Sequence, residues 1–140
     1  MSVEWDFGEK ISDKIIKKTE KYFKVTFPDD YKSVVKSNDG ASPSPDCWDI
    51  PGGEKEKTFD ALIPLSGDED ESITDHYETL KDEYNVSDLI PFALDAFGNY
   101  ICFKIPDMRV FYFDTEAGES VFVTESFSEF ISLLYEPEDE

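Results

Sequence analysis

The feature that most constrains the fold is a change to a hydrophobic period of two from Leu89 onward. Three segments rich in aromatic side chains show this period: residues 89–94, 99–105 and 109–114. The connections at 95–98 and 106–108 are short and of hairpin type, so the segments predict an antiparallel meander. A short strand at 120–123 extends it.

The N-terminal part of the chain shows a helical period instead. Residues 9–24 place apolar side chains on one face and lysines on the other, which predicts an amphipathic helix. Pro28 and the two aspartates that follow suit the first turn of a short second helix. Gly40 ends that helix because glycine accepts a left-handed conformation. The Pro/Gly-rich residues 41–57 then predict a loop that contains one short strand around residues 47–50, and residues 58–65 predict a further strand.

Two more helices are predicted from capping-box spacing, in which a serine is followed three residues later by a glutamate. Ser66 and Glu69 have this spacing at the start of a third helix, residues 66–84. Ser126 and Glu129 have it at the start of the closing helix. The order of elements predicts an α+β fold, an antiparallel sheet of about five to six strands flanked by helices.

The chain of 140 residues has the length of one domain. It contains no internal repeat and no linker long enough to divide it. We therefore expect a single domain over residues 1–140, with its core in 9–135 and a frayed acidic tail at 136–140.

The charge of the chain limits the kinds of molecule that it can bind. The chain has a net charge of −20, and most of its 33 acidic residues lie in residues 58–140, whose basic residues are Lys81, Lys104 and Arg109. Such a surface repels nucleic acid and anionic membranes and attracts basic proteins. An acidic surface that serves only solubility is the other interpretation. We therefore expect no direct contact with nucleic acid and no binding to a membrane.

No reactive centre is indicated. Asp68, Asp70 and Ser72 fit the first positions of a calcium-binding EF-hand loop, but Ile73 stands where that loop needs glycine. His76 is the only histidine, and no sequence signature gives it a catalytic partner, so a structural or surface role is expected. We expect no catalytic residue, no metal and no cofactor. A hydrolase that uses paired carboxylates is the rival hypothesis, although among 33 acidic residues close pairs arise by chance.

Cys47 and Cys102 lie far apart without metal-ligand spacing, which favours two buried or half-buried thiols. The N-terminus lacks the pattern of a signal peptide, and no apolar stretch is long enough to span a bilayer. We therefore expect a cytoplasmic protein.

The remaining hypothesis is a protein-binding acidic surface. Trp48, in the Pro/Gly-rich loop, is either an aromatic anchor for a partner or a cap on the core. The candidate contact residues are Trp48, Asp68, Glu69, Asp70, Glu71, Asp75, Asp114, Glu116 and Glu119.

Several of these segments together resemble the SUKH superfamily. Thr19-Glu20-Lys21-Tyr22-Phe23, Phe27-Pro28-Asp29-Asp30-Tyr31 and Asn38-Asp39-Gly40 are similar to its opening motifs. Residues 89–93, 98–103 and 110–114 are similar to its central strands, and residues 125–131 to its closing helix. The resemblance covers roughly residues 15–135. Phe27 stands where the family usually has leucine, and Phe97 where a small residue usually precedes the glycine.

The resemblance implies a function without catalytic residues. Bacterial members are mostly immunity proteins that bind and neutralise polymorphic toxins, often nucleases, and some eukaryotic members regulate cell-wall synthesis. The expected partner is therefore the basic toxin domain of a co-encoded protein, bound by a chain for which the monomer is favoured. A regulatory scaffold of the cell-wall type is the alternative. A further hypothesis is a protein that mimics DNA and binds a host regulator. It is physically similar to the immunity protein and differs from it in the partner.

Overall fold

The computed structural model describes residues 3–66 and 72–136. Within these residues the helices are α1 Asp13–Phe23, α2 Asp29–Asn38, α3 Ile73–Tyr84 and α4 Phe127–Ser132. The strands are β1 Glu4–Asp6, β2 Ser42–Ser44, β3 Cys47–Trp48, β4 Lys57–Thr58, β5 Ala61–Leu62, β6 Leu89–Leu94, β7 Tyr100–Lys104, β8 Arg109–Asp114 and β9 Glu119–Thr124.

The main sheet is antiparallel, with the strand order β5-β6-β7-β8-β9. Its last four strands form the meander that the period of two predicts, and their bounds differ from the predicted ones by one residue or less at each end. The predicted α+β fold is confirmed, and the main sheet has five strands where about five to six were predicted. The single domain over residues 1–140 stays a prediction, and most of its tail, residues 137–140, lies outside the described residues.

Two small sheets lie beside the main one; their pairing was not predicted, although β3 lies in the short strand predicted around residues 47–50. β1 pairs with β2, and β3 pairs with β4. Because β1 takes up residues 4–6 and Glu9 forms a bridge to Asp39, the first helix begins later than the predicted residue 9. Its N-cap is Ser12, whose side chain accepts a hydrogen bond from the Ile15 amide.

The prediction that the third helix begins at Ser66 is wrong, because the helix begins at Ile73. Its N-cap is Ser72, which forms a complete capping box with Asp75. The Ser66 hydroxyl instead donates to a carboxylate oxygen of the buried Asp39 at 2.7 Å. Glu69, the other half of the predicted box, lies outside the described residues. The strand predicted at 58–65 is likewise divided, since β4 pairs with β3 whereas β5 pairs with β6.

The closing helix begins as predicted, with Ser126 as its N-cap accepting from the Glu129 amide at 3.2 Å. The Glu129 carboxylate accepts from the amide of Glu125 at 3.3 Å, one residue before the N-cap. The hydrogen bond of the predicted capping box that Ser126 accepts is therefore present. The one that the Glu129 carboxylate accepts comes from the residue before the N-cap and not from the N-cap itself.

The core is a cluster of aromatic rings on one face of the main sheet. Phe103 of β7 stacks on Phe92 of β6 with ring centroids 4.3 Å apart. Tyr31 of α2 and Phe127 of α4 contact both of these rings from above. The opposite face is covered by α3, whose Tyr84 contacts Phe113. The sheet between these layers carries the β8–β9 hairpin.

Candidate protein-interaction surface

The β8–β9 hairpin brings three of the predicted contact residues together. Asp114 ends β8 and lies directly opposite Glu119, the first residue of β9. One Asp114 carboxylate oxygen accepts hydrogen bonds from the amides of Glu116 at 2.9 Å and Ala117 at 3.1 Å, which fixes the tight turn. Glu116 and Glu119 are exposed. The hairpin therefore presents two glutamates to solvent beside a fixed aspartate.

A groove beside this hairpin has acidic and apolar walls. Its volume is about 270 Å³, and it is lined by Glu54, Asp114 and Glu119 together with apolar and small residues that include Ile50, Tyr112 and Val121. Like charges directly opposite each other on neighbouring strands destabilise a sheet, so the Asp114–Glu119 pair would gain from a cation. Apolar walls suit the aliphatic stem of a lysine or arginine side chain.

Lys57 shows how a cation sits beside this groove. Its ammonium nitrogen lies 3.3 Å from a Glu54 carboxylate oxygen and 4.9 Å from the centroid of the Tyr112 ring. A carboxylate combined with an aromatic face is a favourable environment for an ammonium group. In the described part of the chain, Asp114 and Glu119 have no Lys, Arg or His nitrogen within 4.0 Å. Two carboxylates of the groove are thus open to a cation from another molecule.

The loop that carries Glu54 is held by side-chain contacts from elsewhere in the chain. A carboxylate oxygen of Asp49 accepts from the Tyr135 hydroxyl at 2.6 Å and from the Glu56 amide at 2.9 Å. The hydrogen bond from Tyr135 is the main reason that the pKa of Asp49 lies below its usual value. The Ile50 amide donates to the carbonyl oxygen of Glu54 at 2.8 Å and closes the loop. Sequence reasoning missed Glu54, because nothing local shows that this loop meets the hairpin.

A buried carboxylate, Asp95, holds the neighbouring turn in place. It accepts hydrogen bonds from the Phe97 and Asn99 amides and from the Tyr112 hydroxyl, each at 2.8 Å, and from the Asn99 side-chain amide at 3.0 Å. The Asn99 carbonyl oxygen accepts from the Thr115 amide at 2.9 Å. The network therefore connects the β6–β7 turn to the β8–β9 hairpin that carries the acidic groove.

This environment shifts two pKa values in opposite directions. Burial alone would raise the pKa of Asp95, but the hydrogen bonds from Asn99, Tyr112 and Phe97 outweigh it and hold the pKa below its usual value. Burial, together with the hydrogen bond to Asp95, raises the pKa of Tyr112. Asp95 is thus charged and Tyr112 neutral at neutral pH.

Replacing Asp95 with alanine should destabilise the protein by about 3 kcal/mol at pH 7, since it leaves several donors without their acceptor. Because the folded-state pKa of Asp95 is depressed, its contribution is present above the unfolded pKa and declines as the pH falls through the folded one. Urea unfolding at pH 7 and at about pH 3 should therefore give a smaller difference from the parent at the lower pH.

The control for this prediction is Asp60→Ala, which removes an exposed carboxylate near the same turn. We expect it to change the free energy of unfolding by less than about 0.5 kcal/mol at both pH values. An Asp95→Ala difference that does not shrink on acidification would contradict the role assigned to the ionised carboxylate.

The other predicted contact residues lie elsewhere. Trp48 is fully buried, its indole N–H donates to the Thr58 carbonyl oxygen at 3.1 Å, and its ring packs against Tyr112 and Phe130. The anchor interpretation of Trp48 is therefore corrected, because a side chain with no exposed surface has none to offer a partner. Asp75 is half-buried, and its carboxylate accepts from the Ser72 hydroxyl in the α3 capping box.

Four further candidates, Asp68, Glu69, Asp70 and Glu71, lie outside the described residues, as does most of the calcium-like segment. In residues 3–66 and 72–136, no group of three or more His, Cys, Asp or Glu side chains could hold a metal ion. Over the same residues, no helix is long and apolar enough to cross a membrane. His76 lies with its Nδ1 atom 2.8 Å from the Tyr100 hydroxyl oxygen. Cys47 and Cys102 are both buried free thiols, as expected.

Comparison with known proteins gives a family match that covers most of the chain. The model described as SMI1 / KNR4 family (SUKH-1) matches residues 10–133. No curated protein matches the chain. The matched range includes all of the main sheet, the four helices and every residue that lines the acidic groove.

Proposed function

The chain belongs to the SMI1 / KNR4 family (SUKH-1), and from this premise we propose that it is an immunity protein that binds a toxin and neutralises it by covering the toxin's basic surface. The observation that carries the proposal is the groove in which Asp114 and Glu119 oppose each other next to Glu54. That arrangement is unfavourable for the isolated chain and becomes favourable when a basic side chain enters between the carboxylates.

The proposed mechanism is occlusion with one immunity protein for each toxin molecule. A toxin that acts on nucleic acid needs a lysine- and arginine-rich surface to bind phosphates. A lysine or arginine of that surface would enter the groove with its stem against Ile50 and Val121. The remainder of the contact would then exclude the toxin's substrate by steric overlap. No bond is made or broken by the immunity protein, and we place its action in the cytoplasm, where such a substrate lies.

The role is tested by co-expression with the C-terminal domain of the protein encoded by the neighbouring gene. Cells that express this domain alone should lose viability, and cells that also express the present chain should form colonies as cells without the toxin do. Survival of the cells that express the domain alone, or death in both cultures, would remove the immunity role. Recovery of several host proteins and no toxin by affinity capture would instead support the regulatory scaffold.

Salt dependence tests the electrostatic part of the mechanism separately. With a net charge of −20 on the chain, long-range attraction should accelerate the encounter with a basic toxin domain. We expect the association rate constant to fall about ten-fold between roughly 0.05 M and 0.5 M NaCl, because the Debye length shortens over this range. Stopped-flow fluorescence measures it. A constant rate would remove the electrostatic acceleration and leave the immunity role in place.

A further inference from the structure

Among residues 3–66 and 72–136, the main sheet has one covered edge and one open edge. At the β5 edge, the strand is only two residues long, and the Leu62 amide donates to the Ala41 carbonyl oxygen at 2.8 Å. At the other edge, β9 has six residues, and the first four of them are exposed. An edge strand presents amide and carbonyl groups that can pair with another extended chain.

Of the features that usually prevent such pairing, β9 contains neither proline nor lysine; its one charge, Glu119, lies at its start, and a register irregularity at residue 123 lies near its end, beyond the exposed residues 119–122. Two neighbouring apolar residues on it are exposed instead, Val121 by 42 % and Phe122 by 40 %. Phe122 packs edge to face on Phe111, and the Arg109 guanidinium lies 5.7 Å from the centroid of the Phe122 ring. Exposed aromatic rings with an arginine are the composition of protein-binding hot spots.

The two faces of β9 differ in what they would offer to a paired strand. Phe122 shares its face with Phe111, whereas Val121 and Glu119 share theirs with Tyr112 and Asp114. Val121 and Glu119 are also walls of the acidic groove. A strand added along β9 would therefore place alternate side chains against an aromatic surface and against the groove, whose carboxylates favour a basic side chain.

Charge decides between the two extended partners that such an edge could take. A second copy of this chain would bring together two molecules of net charge −20, and strand pairing alone would cover too little area to offset that repulsion. A segment with alternating basic and apolar residues is attracted instead, because its cations meet the two open carboxylates of the groove, Glu119 and Asp114.

We propose that β9 binds an extended segment of a protein partner as a sixth strand, and that this segment alternates basic residues with apolar ones. Backbone hydrogen bonds to the β9 edge would supply affinity, and the groove and the Phe122 surface would select the side chains. This inference depends on the proposed function only for the identity of the partner, which under that function is the toxin.

The probe is a fluorescein-labelled peptide of eight alternating lysine and valine residues, titrated against the full chain by fluorescence anisotropy. The matched peptide has the same sequence and charge but carries N-methyl groups on two adjacent central residues, one for each edge of the peptide strand. We expect the unmodified peptide to bind at least about ten-fold more tightly, because only it can form the backbone pairing. Equal affinities would overturn strand addition and leave simple charge attraction.

Two protein variants locate the site. Phe122→Ala should weaken binding of the unmodified peptide at least about five-fold, since it removes the aromatic surface beside the edge. Phe97→Ala is the matched control, because Phe97 is 82 % exposed but lies in the turn between β6 and β7, and β8 separates these strands from β9. Circular dichroism checks that both variants fold. Equal effects of the two substitutions would remove β9 as the docking strand.

The outcome is separable from that of the co-expression experiment. Peptide binding at β9 without rescue from the toxin would remove the immunity role and leave strand addition. Rescue combined with equal affinity of the two peptides would remove strand addition and leave the immunity role.

Discussion

Replacement of Phe103 by alanine should lower the free energy of unfolding by about 4 kcal/mol, the largest effect on stability that we expect from any single substitution here. Phe103 is fully buried at the centre of the aromatic core. Its ring stacks on Phe92 at 4.3 Å and lies 5.0 Å from Tyr31 and 6.3 Å from Phe127, centroid to centroid. The substitution leaves a cavity between two helices and the sheet, which these fixed elements cannot fill by moving together.

Urea denaturation followed by tryptophan fluorescence measures this loss, and Tyr31→Phe is its control within the same cluster. The Tyr31 hydroxyl is fully buried and has no hydrogen-bond partner among the residues that the structure describes. Burial raises its pKa, so the hydroxyl is uncharged at neutral pH. Removing an unsatisfied buried hydroxyl should be neutral or stabilising. A loss below about 1 kcal/mol for Phe103→Ala, or above that value for Tyr31→Phe, would contradict this description of the core.

The meander could be predicted because its signal is local. In β6 to β9 each strand has five or six residues, and short turns separate them. The pattern and the turn residues therefore specify each strand without reference to the rest of the chain. β1 and β2 have three residues each and pair across almost forty positions of sequence. A segment that short has no readable period, and its partner is chosen by the tertiary fold.

The start of α3 shows a different limit. Ser66 with Glu69 and Ser72 with Asp75 have the same local spacing, and local rules alone do not choose between them. Tertiary contacts make the choice, because the Ser66 amide and hydroxyl both donate to Asp39 at the end of α2. Asp39 lies twenty-seven positions earlier in the sequence, so its contact with Ser66 could not enter a local argument.

The candidate surface was predictable to the extent that it belongs to one hairpin. Asp114, Glu116 and Glu119 lie within six residues of each other, and the connection between the predicted strands at 109–114 and 120–123 brings them together. Glu54 joins them only because the Asp49–Tyr135 contact and the closed loop hold it beside β9. Trp48 had two open interpretations, since an indole in a Pro/Gly-rich loop fits an interface or a core equally well until its burial is known.

Charge reversal at the groove should produce the largest effect on binding. We expect the double substitution Asp114→Lys and Glu119→Lys to weaken binding of the toxin that passes the co-expression test by at least about a hundred-fold, because each like-charge contact with a basic surface costs several kcal/mol. Isothermal titration calorimetry measures the affinity. The matched control is the double substitution Glu4→Lys and Asp6→Lys, which changes the net charge equally at two exposed positions of β1.

A third variant separates charge from structure at the groove. Asp114→Asn with Glu119→Gln keeps an acceptor for the Glu116 and Ala117 amides and removes only the two charges. It should weaken binding about ten-fold, between the parent and the double-lysine variant, and the β1 control should retain most of the parent's affinity while its association rate falls modestly. Equal losses for the groove and β1 variants would show that net charge acts without a specific site. Parent-like binding by the double-lysine variant would place the toxin on a different surface.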